Sequence, residues 1–210
     1  MKRAFLYTGG ELFPDGVTER PGADDLILAA DAGYRAALRF GQRPAVVLGD
    51  FDSLGGVPEL PTGTELIRVP AEKNLTDTQL GVDLALERGA QALTVVGGLG
   101  GRLDHTLSNL AVLEELWEKK IPAVITNGKN RARFLRNGSL LLLRDPHFRY
   151  FSLIAADPVL RGVTLEGCKY PLSGAKISRR LQFAVSNEIT GNCALISVRR
   201  GGLWIIESAD

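Results

Sequence analysis

The chain has 210 residues and a mass of 22.7 kDa, with 45% hydrophobic and 23% charged residues, so it can bury a core and is not a disordered chain. Its 25 Lys and Arg against 24 Asp and Glu leave a formal charge of +1, which supplies no long-range field for nucleic acid or an anionic membrane. Any phosphate binding must therefore be local.

Short, continuously apolar runs at 4–7, 26–30, 45–48, 66–69, 93–96 and 124–126 predict parallel strands covered on both faces. Helical patterns lie between them. Thr76 with Gln79 three residues on is a capping-box signature, and Leu80, Val82 and Leu84 then face inward until Gly89 stops the helix. A second long helix runs from Leu103 through Leu107, Leu110, Leu113 and Trp117, with Pro122 beyond its end. Strand and helix in alternation predict right-handed crossovers and a doubly wound sheet.

After Asn137-Gly138 the rhythm changes to short, often alternating runs at 140–144, 148–155, 162–166, 181–186, 194–199 and 203–207. The expected fold class is thus α/β, a doubly wound, mainly parallel N-terminal domain over 1–138, followed by a C-terminal all-β sandwich over 139–210. The hinge is expected to be a turn. No apolar run reaches the roughly 20 residues of a membrane span, and the opening stretch turns polar and Gly-rich too soon for a signal peptide. Cys168 and Cys193 are too few for a disulfide framework, which fits a reducing cytoplasm.

Ligands of open α/β sheets bind beyond the carboxyl ends of the strands, and there the polar residues collect. Asp31 ends the second run and precedes Ala32-Gly33. Gly49-Asp50-Phe51-Asp52-Ser53 ends the third, and in an extended segment Asp50 and Asp52 would project to one side, where a hard dication such as Mg²⁺ relieves their repulsion. Glu72-Lys73-Asn74-Leu75-Thr76-Asp77 sets Lys73 beside Asp77 at a helix start. Gly97, Gly98, Gly100 and Gly101 open the backbone to an anion, followed by Arg102, Asp104 and His105. The loop matches neither a GxGxxG nor a Walker A pattern. Turn and helix-cap roles account for several of these acids singly, but together the set points to Mg²⁺ and a polyphosphate.

These motifs, with Asn109, Gly167-Cys168-Lys169-Tyr170-Pro171-Leu172 and Ser186-Asn187-Glu188, resemble the thiamin pyrophosphokinase family in order and spacing over nearly the whole chain. The resemblance implies transfer of a diphosphate from ATP to the hydroxyl of thiamin, giving thiamin diphosphate and AMP. It also implies a homodimer with active sites between subunits. Asp50, Asp52 and Asp77 would hold the metal, with Lys73 and Arg102 neutralising charge and Asp77 or Asp104 a candidate base. Asp31, Gly97, Gly98, Gly100, Gly101, Arg102, His105 and Asn109 would contact nucleotide, and Tyr170, Ser186 and Asn187 thiamin; Tyr170 or Trp204 could offer an aromatic face. The chain departs from the family pattern at Asn74, where an acid is common, at Tyr34-Arg35 and at Ala45. A pyrophosphokinase for another small alcohol such as a pterin, and a non-catalytic thiamin diphosphate sensor, are the competing readings.

Overall fold

The computed structural model describes residues 1–51, 56, 59–70 and 74–210. In chain order its elements are β1 (Arg3–Tyr7), β2 (Leu26–Ala30), α1 (Gly33–Arg39), β3 (Val46–Gly49), β4 (Glu65–Arg68), α2 (Asp77–Glu87), β5 (Ala92–Val96), α3 (Leu103–Glu118), β6 (Ala123–Thr126), β7 (Asn130–Leu143), β8 (Tyr150–Ala155), β9 (Val159–Glu166), β10 (Leu172–Ser178) and β11 (Cys193–Ser208). β6-β5-β1-β2-β3-β4 pair in parallel, and β7 joins the β6 edge antiparallel.

Alternation along β1 explains why both faces must be covered. Ala4 and Leu6 pack with Leu28, Leu48 and Val95 under Val82 and Ala85 of α2 and Leu113 and Leu116 of α3. Phe5 and Tyr7 point the other way, with Tyr34 and Ala37 of α1 and the fully buried Phe51. Each such apolar side chain contributes about 1.5–3 kcal/mol on burial. The helices are locally specified: Thr76 Oγ1 accepts the Gln79 amide at 3.2 Å while Gln79 Oε1 accepts the Thr76 amide at 3.1 Å, the predicted capping box. Gly81 lets α2 approach β1, since a Cβ there would lie 2.7 Å from Leu6 Cδ1. At α3 the inward set begins later than the periodicity predicts. Leu103 and Leu107 are exposed, because the first turns of α3 overhang the loop after β5 rather than the sheet.

The second half is all β. β11 pairs with β7 along its whole length, with β8 beside its C-terminal half and β9 then β10 beside its N-terminal half, around a core of Leu135, Phe151, Leu153, Leu160, Ile196 and Ile205. The chain therefore has an α/β N-terminal domain and a C-terminal β domain. The expected turn at Asn137-Gly138 is not a turn. β7 runs straight through it, and the break in rhythm is a bulge where the β7–β11 register shifts between Val198 and Gly202. Asn137, at φ 48°, accepts the Gly201 amide on Oδ1 at 2.8 Å and so fixes that bulge. β10 was not expected, and 181–186 forms a single isolated bridge, at Leu181, instead of a strand.

Candidate active site

Strand order reverses between β1 and β5: β1 leads on to β2, and the chain later returns through β5 to β6 on the other side. Beyond the carboxyl ends of the two strands lies a cavity of 330 Å³ whose walls include Thr8, Asp31, Asp77, Gly98, Arg102, His105 and Asn109. A larger hollow of 700 Å³ sits under the end of α3, lined by Leu113, Trp117, Ile121 and Phe134 among others, but it holds none of the predicted acids or loop glycines. Chemistry therefore assigns the site to the smaller crevice.

Asp31 is held there under strain. Its φ is 49°, its amide donates to Leu48 O at 2.7 Å, and Gly33 behind it packs so tightly that a Cβ would fall 2.0 Å from Tyr7 O. A non-Gly residue in this region costs of order 1–3 kcal/mol and persists only where its surroundings fix it. Asp31 Oδ1 is buried with no hydrogen-bond partner among the described residues. A buried carboxylate oxygen calls for a donor or cation, which here comes from outside the described residues.

The Gly49–Phe51 segment differs from the extended geometry expected. Gly49 has φ 149° and Phe51 φ 66°, so the backbone turns at Phe51, and its fully buried ring anchors the loop with Asp50 half-buried beside it. Asp50 therefore leads into a turned residue and not into a regular extended run. Asp52 and Lys73 lie outside the described residues. Asp77 stands in the first turn of α2, where the cap is already made by Thr76 and Gln79. The capping hydrogen bonds are thus made by other residues, while Asp77 sits at the positive end of the helix dipole. Among the described residues no group of three or more His, Cys, Asp or Glu is placed to hold a metal.

The glycine loop is pinned from both sides. Gly97 N donates to Thr126 O at 2.8 Å and Gly98 N to Gly9 O at 3.0 Å. Asn109 Nδ2 donates to Gly98 O at 2.8 Å, Asn127 Nδ2 to Leu99 O at 3.0 Å, and Gly100 N donates to Thr106 Oγ1 at 3.1 Å. Gly97, Gly98, Gly100 and Gly101 all have positive φ, and a Cβ at Gly98 would lie 2.8 Å from Asn109 Nδ2. Only glycine meets both demands.

Arg102 reaches the crevice rim and pairs with Asp104 at 2.6 Å, both side chains exposed. The Arg102 hydrogen bond, with help from the His105 amide, holds Asp104 at a pKa of about 2. A carboxylate that acidic is a weak proton acceptor near neutral pH, and Asp104 does not line the cavity. His105 does.

Tyr170, Ser186 and Asn187 form a separate group in the β domain, and none of them lines this crevice. Asn187 is 2% exposed; its Oδ1 accepts the Tyr170 amide at 3.0 Å and its Nδ2 donates to Tyr170 O at 2.8 Å, so it shapes the loop under an exposed Tyr170. Ser186, at φ 54°, is fixed through its amide on Ser152 Oγ at 3.0 Å. Trp204 is a packing residue: Nε1 donates to Leu110 O at 2.9 Å and the ring meets Phe134 edge-on. The sequence reading missed Thr8-Gly9-Gly10 and Asn127. The first had a signal, a Gly pair directly after a strand; Asn127 had none, since only the fold brings it to Leu99.

Two family models match the chain: "Thiamin pyrophosphokinase, catalytic domain" over residues 22–125 and "Thiamin pyrophosphokinase, vitamin B1 binding domain" over residues 140–203. A thiamine pyrophosphokinase of Bacillus subtilis (strain 168) is 30% identical over 215 residues, covering 100% of both chains. The chain belongs to the thiamin pyrophosphokinase family. The crystal structure of thiamine pyrophosphokinase from Bacillus subtilis superposes with a TM-score of 0.87 at 28% identity over 100% of each chain. That of the thiamin pyrophosphokinase from Geobacillus thermodenitrificans does so with 0.83 at 30% identity, over 100% of this chain and 98% of the other. Family membership makes the chain an enzyme, an ATP-dependent diphosphotransferase.

Proposed function

We propose that the chain transfers the diphosphate of ATP to the hydroxyl of thiamin at the β1–β5 crevice, releasing AMP. The observation that carries this assignment is the convergence of Asp31, Asp77 and the pinned glycine loop on one cavity at the strand-order reversal. The phosphate tail lies along the glycine loop at the N-terminus of α3, where backbone N–H groups and the helix dipole favour negative charge. Arg102 and His105 add donors at the rim, and by its place in the motif Lys73 adds a further cation.

The donor set fits a hard divalent cation. Asp31 and Asp77 line the crevice and offer carboxylate oxygens, and Asp50 and, by its place in the motif, Asp52 add others from the loop after β3. Mg²⁺ bound by them supplies charge neutralisation across the phosphates. The protein's own part is positioning, since phosphoryl-type transfer needs in-line alignment and charge stabilisation more than a covalent nucleophile. Asp77 is the better placed candidate to accept the hydroxyl proton, because Asp104 is tied to Arg102.

Tyr170, Ser186 and Asn187 form the thiamin side, with Tyr170 offering an exposed ring to a cationic aromatic. That they do not line this chain's crevice supports the reading that the complete site is formed between two copies in a homodimer, as the family resemblance implies. The two free thiols, Cys168 and Cys193, suit the cytoplasm as its location. The competing pterin and sensor readings have no support in the relatives found. A coupled assay of AMP release with ATP and Mg²⁺ tests the activity: turnover with thiamin and none with a pterin alcohol is expected. The reverse preference would overturn it, and so would the absence of AMP.

A further inference from the structure

The chain is nearly neutral overall, but its positive charge is not evenly spread. Between residues 158 and 206 the acids are Glu166 and Glu188, and Glu188 is paired with Lys169 at 2.8 Å. At the bulged end of the β domain, Lys176 of β10 stands directly opposite Arg161 of β9, and Arg161 directly opposite Arg200 of β11. Residues in direct register share a face, so three like charges stand in one row across three neighbouring strands. All three are exposed, and none has an ion pair or side-chain hydrogen bond with any described residue.

Like charges directly opposite one another destabilise a sheet. This row also flanks a hollow of 340 Å³ lined by Arg161, Arg200, Pro158, Val159, Gly201 and Asp157. One acid lines it too: Asp157 accepts from Arg136 at 3.1 Å and from the Gly202 amide at 3.1 Å, and Arg136 is shared with Glu114. The bulge aims Arg200 at the hollow, with Gly201 at φ 112° and its amide held by Asn137. Side chains, strand register and bulge together form a cleft with two arginines against the single carboxylate of Asp157, which is bonded to Arg136.

We infer that this cleft is a second anion site, separate from the crevice, that takes the di- or triphosphate portion of a small molecule. Strand spacing of about 4.8 Å puts the row at roughly 10 Å from end to end, a length suited to a chain of two or three phosphates. Two Arg forks can each hold phosphate oxygens bidentately, so a polyphosphate can engage both at once where a single carboxylate engages one. The cleft is a compact hollow on a chain of formal charge +1, whereas a nucleic-acid polymer calls for an extended positive surface. It lies six residues along β7 from the crevice end of the β7–β11 ladder, roughly 20 Å at about 3.3 Å per residue.

Isothermal titration of the full chain with inorganic triphosphate tests the site, comparing the parent with the double variant R161Q/R200Q. The parent should show a class of triphosphate sites beyond the crevice, weakened at least about tenfold in the variant, since charge-assisted bonds to two arginines are removed. AMP release should be unchanged in the variant, and triphosphate should raise the melting temperature of the parent more than that of the variant. Without triphosphate the variant should melt no lower than the parent, because it loses the like-charge row. Equal triphosphate binding by both proteins would overturn the inference. Equal effects from sulfate at matched ionic strength would reduce the site to unspecific charge, and tighter Arg161- and Arg200-dependent binding of a single-stranded RNA would replace it with a polymer surface.

Discussion

Asn109, 4% exposed on α3, donates through Nδ2 to the carbonyl of Gly98 at 2.8 Å and thereby ties the third helix to the loop that leads into it. The bond turns that carbonyl toward α3, and Gly98 has no side chain to obstruct it. Replacing Asn109 with Ala leaves a buried carbonyl without its donor, at a cost of about 1–3 kcal/mol in stability. The larger effect falls on catalysis. kcat/KM for ATP should drop at least about tenfold, equivalent to about 1.4 kcal/mol of transition-state stabilisation, while KM for thiamin changes little. Steady-state kinetics with each substrate varied in turn would decide it, and an unchanged ATP response would remove Asn109 from the loop's positioning.

Asp31 sets stability against activity. Asn tolerates the left-handed backbone at least as well as Asp, so Asp31→Asn keeps the φ of 49° without added strain and removes a charge whose Oδ1 has no partner among the described residues. The variant should melt no lower than the parent. Its Mg²⁺-dependent turnover should fall by about 10²–10³-fold, the scale of losing one preorganised electrostatic group. Asp77→Asn should show the same loss, together with a raised Mg²⁺ requirement. Full turnover in Asp31→Asn would show that the unmet oxygen serves the fold and not the ligand.

Much of this was legible because local rules agreed with the global fold. The continuous apolar runs marked β1, β2, β3, β5 and β6 as covered on both faces, and the Thr76–Gln79 box fixed the start of α2. The acids and glycines at strand ends pointed to the end of the sheet where the crevice lies, since polar residues there stand out against apolar strands. What could not be read depends on tertiary context. Asn137-Gly138 carries the chemistry of a turn, yet pairing with β11 converts it into a bulge within one strand. Phe51 looked like a spacer between two acids and is instead a buried anchor at which the backbone turns. Trp204 has the ring a cationic ligand would want, but α3 claims its N–H.

The contact of Trp204 with Leu110 O makes a clean test of that last point. Trp204→Phe keeps an aromatic ring between Phe134 and α3 but leaves the Leu110 carbonyl without this donor. A loss of about 1–2 kcal/mol in unfolding free energy is expected from the hydrogen bond and the smaller ring. KM for thiamin should stay within about twofold of the parent, because uniform binding of the substrate is untouched. A large rise in that KM with stability preserved would return Trp204 to the thiamin site.

The ion network that joins the two halves gives a pH dependence with a definite sign. Arg131 is nearly buried and bonds Glu207 at 2.6 Å and Asp145 at 2.8 Å; burial works against its charge, but the Glu207 hydrogen bond and the surrounding carboxylates raise its pKa overall. Burial likewise works against ionisation of Asp145, yet the His147 amide at 3.0 Å and the Arg131 guanidinium outweigh it and hold the carboxyl below the usual carboxylate range. A carboxyl whose folded pKa lies below its unfolded value of about 3.9 stabilises the fold at every pH above that value, and the contribution disappears as pH falls through the folded pKa. Asp145→Asn should therefore lower stability by about 1–3 kcal/mol at pH 7, the range for hydrogen bonds to charged groups. The gap to the parent should be the same at pH 5 and should close below about pH 4. Urea unfolding of both proteins at pH 7, 5 and 3 measures it, and a gap that persists undiminished at pH 3 would show that Asp145 acts through packing and not through its charge.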